Sequence, residues 1–335
     1  MKASGITDKS RAYLFVVLCV MSVSVMSSPA PRSVTSQPKA IVILMDGIPA
    51  DVLESVDTPT IDAISAQGGY RQGYVGGTIG APSESPTISA VGYQTMLTGT
   101  WANKHNVYNN DIEAPNYAYW DFFRIAKTAN PQLKTALFST WEDNRTKLLG
   151  DGLAEAGGHK LDYFYDGLEH QTAAYPHDAE ANYIKAIDQA VAEDAVRHIK
   201  NEAPDLSWLY LQYTDDVGHA LGDSEPLRQA VADMDNLLSE LWQTIISRAD
   251  AHNEDWLVLV TTDHGRDAKT GKHHGAQSAR ERTIWIAANH PQLDTSKARD
   301  AAMVDILPTL LEHLQIKAPT KVAEQLDGRS LLIAP

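Results

Sequence analysis

The sequence predicts an α/β fold with a mostly parallel central sheet and helices on both faces. Apolar runs of strand length recur along the chain, as in strands that are buried on both faces. Stretches with apolar residues at helical spacing lie between those runs, which is the alternation expected of a parallel sheet. The 335 residues are 43% hydrophobic and 21% charged, as in globular proteins, and suffice for one large domain.

The strands and helices are predicted from these two periodicities. Continuous apolar runs such as KAIVILM predict strands over 39–45, 207–213, 256–260 and 282–287. Apolar stripes at helical spacing predict helices over 59–67, 118–128, 179–201, 225–248 and 303–314. The segment 143–176 is rich in Gly and Tyr and has weak periodicity, so it is predicted to be a variable loop or cap insert.

The N-terminus has the pattern of a secretory signal peptide. Three basic residues precede an apolar run over 12–26, and small residues follow it. The run is shorter than the ~20 residues of a membrane-spanning helix, and an uncleaved anchor is the alternative. We expect a signal peptide over 1–27, a Ser- and Pro-rich linker over 28–38 and a folded domain over 39–335. The expected location is the periplasm or the outside of the cell.

The charge of the chain limits its partners. It carries 43 acidic and 28 basic side chains, a formal net charge of −15. Binding to a nucleic-acid duplex or to an anionic membrane requires a surplus of Lys and Arg, so neither is the expected partner. A small phosphorylated substrate remains compatible, because bound metal ions can reverse the sign of a local pocket.

Carboxylates and imidazoles cluster around the ends of the predicted strands. The candidates are Asp46, Asp215, His219, Asp263, His264 and His274. In open α/β sheets, ligands bind beyond the carboxyl ends of the strands. Each Asp alone is commonly a turn former or a helix cap, but the set together suits a catalytic zinc site without thiols. His273 competes with His274, which we prefer because a glycine follows it.

The segment 85–105 contains a candidate nucleophile. Ser89 is predicted to be the N-cap of a short helix that Gly99 ends, which is also its simplest structural role. A helix N-terminus presents free N–H groups that can hold a phosphate. A serine oxygen beside a zinc ion at that point can act as a nucleophile without a histidine base.

These motifs, in this order, resemble the alkaline phosphatase superfamily, and most of all its type I phosphodiesterase / nucleotide pyrophosphatase branch. The resemblance spans roughly 41–331 and rests on the segments 58–68, 89–99, 105–110, 215–219, 263–265, 274–275, 305–310 and 326–331. Diesterases of the family usually have Thr as the nucleophile. The stretch Ser89-Ala90-Val91-Gly92 is closer to the cofactor-independent phosphoglycerate mutase branch.

The resemblance implies an exported hydrolase of phosphate esters that uses two Zn²⁺ ions, other divalent metals being possible. It implies a phosphoserine intermediate on Ser89. One metal would be held by Asp46, Ser89, Asp263 and His264, and the other by Asp215, His219 and His274. The candidate substrate contacts are Asn109, Asn110 and Gly92. The alternatives are a phosphomonoesterase, phosphonate hydrolase or phosphotransferase of the same superfamily, or a catalytically inactive metal-binding protein.

Overall fold

A central sheet organises the molecule in a computed structural model that describes residues 36–296 and 299–333. Its strands are β1 (Gln37–Met45), β2 (Gly69–Tyr74), β3 (Thr135–Ser139), β4 (Tyr163–Tyr165), β5 (Leu206–Leu211), β6 (Glu254–Thr261), β7 (Thr283–Ala288) and β8 (Ala301–Ala302). Their order is β4-β3-β5-β1-β6-β7-β2-β8. β7 runs antiparallel to β6 and β2, and the other neighbouring strands are parallel. The predicted mostly parallel sheet is confirmed.

The strand β1 lies in the middle of the sheet, between β5 and β6. Leu44 pairs with Tyr210 on one side and with Thr261 on the other. The three strands are parallel, so their carboxyl ends meet at the same edge of the sheet. The chain segments that follow these strands are therefore neighbours in space, although they are far apart in the sequence.

The helices flank the sheet and connect its strands. They are α1 (Ala50–Leu53), α2 (Pro59–Ser65), α3 (Ser89–Thr98), α4 (Ala102–His105), α5 (Phe122–Ala129), α6 (Asn182–Glu202), α7 (Tyr213–Leu221), α8 (Glu225–His252), α9 (Ala279–Arg282), α10 (Ile306–His313) and α11 (Thr320–Ala323). A π-helical turn covers Asn144–Leu149, and 3₁₀ turns cover Leu168–His170 and Met303–Asp305. Several helix starts have local causes: Ser224 caps α8, and Pro59 is the first residue of α2. Asp121 caps α5 by accepting a hydrogen bond from the Arg124 amide, so α5 starts four residues later than predicted.

Two apolar layers cover the two faces of the sheet. Alternate residues of β1 contribute to each layer, since side chains of a strand point to opposite faces in turn. Ala40, Val42 and Leu44 pack in the layer that contains residues of α3, α5 and α10. Ile41, Ile43 and Met45 pack in the layer that contains residues of α6 and α8. The predicted helices on both faces are thus confirmed.

Some predicted boundaries are wrong by a few residues. The strand predicted over 207–213 ends at Leu211, and α7 begins at Tyr213. The predicted linker 28–38 extends too far, because Gln37 and Pro38 already belong to β1. The remainder of that linker up to residue 35 and the predicted signal peptide 1–27 lie outside the described residues. Among the helices of the described part of the chain, none has the length and apolar character needed to cross a bilayer.

The predicted insert 143–176 is partly integrated into the sheet. Its strand β4 pairs in parallel with β3 and forms one edge of the sheet. The buried ammonium group of Lys160 binds Asp121 at 3.0 Å and the carbonyl of Leu149 at 2.6 Å. The segment is therefore anchored both by backbone pairing and by a buried ion pair.

Candidate metal centre and nucleophile

The predicted ligands converge where β1, β5 and β6 end. Asp46 follows β1 directly and is 2% exposed, while Asp263 and His264 follow β6 and are fully buried. Asp215 lies in the first turn of α7, which follows β5, and His219 lies one turn later in the same helix. Residues four apart share one helix face, so the two side chains can reach the same ion. His274 comes from the loop before α9.

The first group surrounds the imidazole of His264. Its Nε2 atom lies 3.2 Å from Ser89 Oγ, 3.2 Å from Asp263 Oδ2 and 3.6 Å from Asp46 Oδ1. The structure therefore brings together the four residues that were predicted to share one metal.

The second group consists of Asp215, His219 and His274. His219 Nε2 lies 3.3 Å from Asp215 Oδ2 and 3.0 Å from His274 Nε2, and the ligand atoms of all three lie within 4.8 Å of one another. Asp46, Asp215 and His264 form another triplet within the same limit, so Asp215 lies near both groups. His273 is exposed, and the structure places the preferred His274 at the site instead.

Unused ligand atoms at the centre fit a metal ion. Asp46 Oδ1 and Asp263 Oδ2 are buried, and neither has a hydrogen-bond partner among the described residues. The Nδ1 atom of His264 lies 2.9 Å from the Gly265 carbonyl, and that of His274 lies 2.8 Å from the Thr87 carbonyl. Because a carbonyl only accepts, each Nδ1 carries the proton, and each Nε2 is unprotonated and presents its lone pair to the site.

The electrostatics of the site also favour a bound cation. Burial, together with the charge of Asp215, raises the pKa of Asp263 to about 7. Burial and the neighbouring carboxylates raise the pKa of Asp46 well above its usual value. Burial lowers the pKa of His264 well below its usual value, as does the charge of His274. A divalent cation would favour the ionised carboxylates and neutral imidazoles that bind it.

Two tyrosines that the sequence analysis missed hold Asp46. The hydroxyl groups of Tyr93 and Tyr210 both donate to Asp46 Oδ2, the latter at 2.7 Å. Because both donors reach the same oxygen, Oδ1 stays free and faces His264. Tyr93 lies one turn after Ser89 in α3, and Tyr210 lies on β5, so neither has a sequence motif that would mark this contact.

Ser89 is the first residue of α3, and Ile88 is the N-cap. The predicted N-cap role of Ser89 is therefore wrong by one residue. Its Oγ instead faces His264, and the residue is 6% exposed. The predicted end of the helix at Gly99 is correct, since Gly99 has the left-handed φ of 61° that suits glycine.

The three candidate substrate contacts differ in their surroundings. The Gly92 amide donates to the Ile88 carbonyl within α3, and a Cβ atom at Gly92 would lie 2.9 Å from the Asp263 Cβ. Gly92 therefore packs closely against Asp263, and its role as a substrate contact stays a prediction. Asn110 Oδ1 accepts from the Ala90 amide at 3.0 Å, whereas Asn109 Oδ1 accepts from the Asp111 amide at 3.1 Å. Only Asn110 is tied to the start of α3.

A cavity of about 240 Å³ opens beside these groups. Its lining residues are Asp46, Ser89, Tyr93, Asn110, Trp141, Tyr210, Gln212 and Asp215. The aromatic side chains form one wall, with the Tyr93 and Trp141 rings 6.2 Å apart in an edge-on arrangement. Ser89 and Asp46 also line the cavity, so a molecule in it would contact both the candidate nucleophile and the carboxylates.

The sequence matches a known family over most of its length. The family described as Type I phosphodiesterase / nucleotide pyrophosphatase matches residues 40–329. Human ectonucleotide pyrophosphatase/phosphodiesterase family member 7 is 26% identical over 262 residues, which is 74% of this chain and 53% of that protein. The chain thus spans about half the length of this relative.

A second relative covers a shorter part of the chain. The 2,3-bisphosphoglycerate-independent phosphoglycerate mutase of Ehrlichia ruminantium is 24% identical over 147 residues, 42% of this chain and 26% of that protein. Among solved structures, murine ectonucleotide pyrophosphatase/phosphodiesterase 5 matches with a TM-score of 0.59 at 15% identity, covering 84% of this chain and 96% of that one. An inactive variant of that murine protein has been solved in complex with AMP.

Proposed function

The chain belongs to the type I phosphodiesterase / nucleotide pyrophosphatase family, and we propose that it hydrolyses phosphate esters with Ser89 as the nucleophile and two metal ions, preferentially Zn²⁺, as cofactors. One observation carries the proposal. Ser89 Oγ lies beside the His264 Nε2 atom, where one buried carboxylate oxygen of Asp46 and one of Asp263 have no hydrogen-bond partner within the described part of the chain.

The proposed ligand sets follow the two groups of side chains. Asp46, Asp263, His264 and Ser89 would hold one ion, and Asp215, His219 and His274 would hold the other. When bound, the ions would lower the pKa of the serine hydroxyl and offset the negative charge that develops on the phosphoryl group. This donor set of carboxylates and imidazoles is typical of catalytic zinc sites.

The protein side chains would orient the reacting groups. The packing of Gly92 against Asp263 fixes the start of α3, so Ser89 Oγ is directed at the site. Asn110 is held at the same helix start by the Ala90 amide, and its side-chain NH₂ group would donate to a phosphate oxygen.

The proposed reaction has two displacements at phosphorus. Ser89 Oγ forms a bond to phosphorus while the bond to the leaving oxygen breaks, and the alcohol departs with a proton. Water then attacks the phosphoserine, releases the phosphate product and restores the serine hydroxyl.

The test compares chromogenic substrates with purified protein. Bis(p-nitrophenyl) phosphate, p-nitrophenyl phosphate and the p-nitrophenyl ester of thymidine 5′-monophosphate represent a diester, a monoester and a nucleotide ester. We expect hydrolysis that a chelator abolishes and that Zn²⁺ restores. If none of the three substrates is hydrolysed in a chelator-sensitive way, the alternative of an inactive metal-binding protein is favoured.

The nucleophile is tested separately by Ser89→Ala. We expect kcat to fall by about 10³-fold or more, with zinc binding retained through the other ligands. Ser83→Ala is the matched control, because Ser83 Oγ accepts from the Thr78 amide at 3.1 Å in the preceding loop. Full activity of Ser89→Ala would exclude Ser89 as the nucleophile while leaving the metal assignment intact.

Phosphoryl transfer to an alcohol is the second candidate function. It is favoured by the match to the phosphoglycerate mutase and by the stretch Ser89-Ala90-Val91-Gly92. Transfer and hydrolysis would share the phosphoserine and differ only in the acceptor. Adding glycerol during turnover distinguishes them: a transferase yields glycerol phosphate in excess over inorganic phosphate, and a hydrolase does not.

We further propose that the protein is exported after removal of residues 1–27. The pattern of basic, apolar and small residues supports this proposal. Expression of the full sequence in a bacterial host should yield a mature protein that begins near Ser28, as determined by intact mass and by fractionation of the periplasm. An unprocessed chain in the membrane fraction would instead indicate an uncleaved anchor.

A further inference from the structure

Arg266 is a buried arginine between the segments that carry the candidate ligands. Its side chain is fully buried. Nε donates to the Gly47 carbonyl at 3.0 Å, Nη1 to the Lys272 carbonyl at 3.3 Å and Nη2 to the Asp215 carbonyl at 2.7 Å. Arg266 itself follows Asp263 and His264 by a few residues. One guanidinium group therefore connects four segments of the proposed metal centre.

Two motif glycines create the space for this guanidinium. A Cβ atom at Gly218 would lie 2.2 Å from Arg266 Cζ, and one at Gly47 would lie 2.8 Å from Arg266 Nη2. Both distances are shorter than any nonbonded carbon contact allows. Gly47 directly follows Asp46, and Gly218 directly precedes His219, so the glycines of two ligand motifs line one slot.

The same guanidinium orients a candidate ligand. Arg266 Nη2 also donates to Asp215 Oδ1, while Asp215 Oδ2 lies 3.3 Å from His219 Nε2. The carboxylate is thus held through Oδ1, which lies 3.9 Å from His274 Nε2, while Oδ2 is directed at His219. A planar guanidinium can hold several acceptors at fixed angles, whereas a lysine ammonium acts as a point charge on a flexible stem.

We propose that Arg266 is a positioning residue that holds Asp215 in the orientation needed to bind the metal shared with His219 and His274. The inference rests on the proposed function, because it requires that these three residues bind a metal. A residue with a merely structural role would stabilise the fold and leave the metal affinity of the folded protein unchanged. The two roles therefore differ in a quantity that can be measured without any substrate.

The experiment titrates the metal-free protein with Zn²⁺ in competition with a chromophoric chelator. The wild-type protein should bind two equivalents. Arg266→Met should weaken one equivalent by about 10–100-fold, the range typical when the partner of a metal ligand is removed, and leave the other unchanged. Arg266→Lys keeps the charge but not the planar fork, and it should lose most of the same affinity. Wild-type affinity for both equivalents in Arg266→Met and Arg266→Lys would overturn the proposal.

A double-mutant cycle tests the slot itself. Gly218→Ala places a methyl group on the guanidinium and should also weaken one zinc equivalent. In the Arg266→Met background there is no guanidinium for the methyl group to displace. Gly218→Ala should therefore reduce the zinc affinity clearly less in that background than in the wild type. Strictly additive losses of zinc affinity would show that Gly218 acts independently of Arg266. That result would contradict the inference that Gly218 makes room for the guanidinium. If Arg266→Met does not fold, Arg266→Lys and Gly218→Ala carry the test.

Arg248→Met is the matched control. Arg248 donates to both Glu254 carboxylate oxygens, at 2.6 and 3.0 Å, and to the Lys200 carbonyl at 2.7 Å. Glu254 begins β6, so this cluster lies at the sheet end opposite to the site. The control should lose thermal stability and keep both zinc affinities. A wild-type protein that binds no zinc would contradict the proposed metal centre itself. That outcome is distinct from failure of the Arg266 proposal.

Discussion

Asp46 shows how single residues prepare the site. Its Oδ2 atom accepts hydrogen bonds from Tyr93 and Tyr210, so the carboxylate cannot rotate freely and Oδ1 is presented to the site. An oriented ligand loses less conformational entropy when it binds an ion than a freely rotating one. The hydroxyl groups would thus act on a bound metal through the carboxylate.

Removal of one hydroxyl is expected to weaken metal binding. Tyr210→Phe leaves the Tyr93 hydroxyl in place, and we expect a loss of about 10-fold in zinc affinity. Tyr163→Phe is the matched control, since Tyr163 on β4 donates to Asp194 at 2.8 Å. The measurement is the same chelator competition. Equal zinc affinities for Tyr210→Phe and for the wild type would contradict the orienting role of the tyrosine.

His105 predicts a pH dependence of stability. It is fully buried, its Nδ1 accepts from the Val107 amide at 3.1 Å, and burial lowers its pKa to about 3. In the unfolded chain it titrates near pH 6.5. Between these values only the unfolded chain binds the proton, so this residue reduces the free energy of unfolding as the pH falls from about 6.5 to 3, by at most about 1.4 kcal/mol per pH unit.

His105→Gln isolates this contribution. Metal-free wild type and variant are melted between pH 8 and pH 5, so that titration of the metal ligands affects both equally. The melting temperature of the variant should fall less than that of the wild type over this interval. Parallel pH profiles would show that His105 gains a proton without cost in the folded state.

At the scale of single residues, the sequence analysis identified the candidate ligands that the sheet brings together, but not the residues that hold them in place. The Asp and His residues stand in short motifs after apolar runs, and the sheet brings such strand ends together. Tyr93, Tyr210 and Arg266 reach the same place, and no motif in the sequence marks their contacts with the candidate ligands. Their contacts join residues that are distant in the chain, and one sequence offers no measure of such contacts.

At the scale of elements, the insert 143–176 is bound to the sheet more firmly than its irregular sequence indicates. Lys160 is 1% exposed, and it pairs with Asp121, which also accepts from the Arg124 amide at the start of α5. One buried cation therefore connects the insert to a helix on one face of the sheet.

Lys160→Met is expected to destabilise the protein by about 3–5 kcal/mol, because it leaves the Asp121 carboxylate buried and unpaired. Adding Asp121→Asn removes that charge and keeps an oxygen for the helix cap, so the double variant should recover part of the loss. Chemical denaturation measures both values. A Lys160→Met protein as stable as the wild type would show that the insert can detach without cost to the domain.

Helices and strands with a regular pattern of apolar residues were predicted best. The long apolar stripe of α8 and the apolar run of β1 are placed within a few residues of the prediction. The strand β4 has only three residues, and its side chains are half-buried or exposed, so it lacks the apolar run that marks the other strands. Its place is determined by pairing with β3, which the local sequence does not encode.

At the scale of the whole molecule, the net charge of −15 contrasts with the proposed anionic substrate. The site itself concentrates Asp46, Asp215 and Asp263, and only bound cations would make it attractive to phosphate. Metal ions that bind the folded state alone also stabilise it by mass action.

Removal of metal is therefore expected to lower the melting temperature. At free zinc 100-fold above its dissociation constant, each site contributes about 2.7 kcal/mol to the free energy of unfolding. Scanning fluorimetry with chelator and with Zn²⁺ should show this difference, and Asp46→Asn should reduce it. Identical melting temperatures under both conditions would contradict a metal site in the folded protein.

The central position of β1 has a consequence for synthesis of the chain. β1 is the first strand of the described residues to leave the ribosome, yet its only partners are β5 and β6, which begin at Leu206 and Glu254. Until β5 has been made, the seven consecutive β1 residues that are buried in the folded protein have no neighbouring strand, and one edge of β1 stays unpaired until β6 follows. Such a strand is a hazard for aggregation during translation. Nascent chains arrested before residue 206 should therefore depend on chaperones far more than chains released after residue 261.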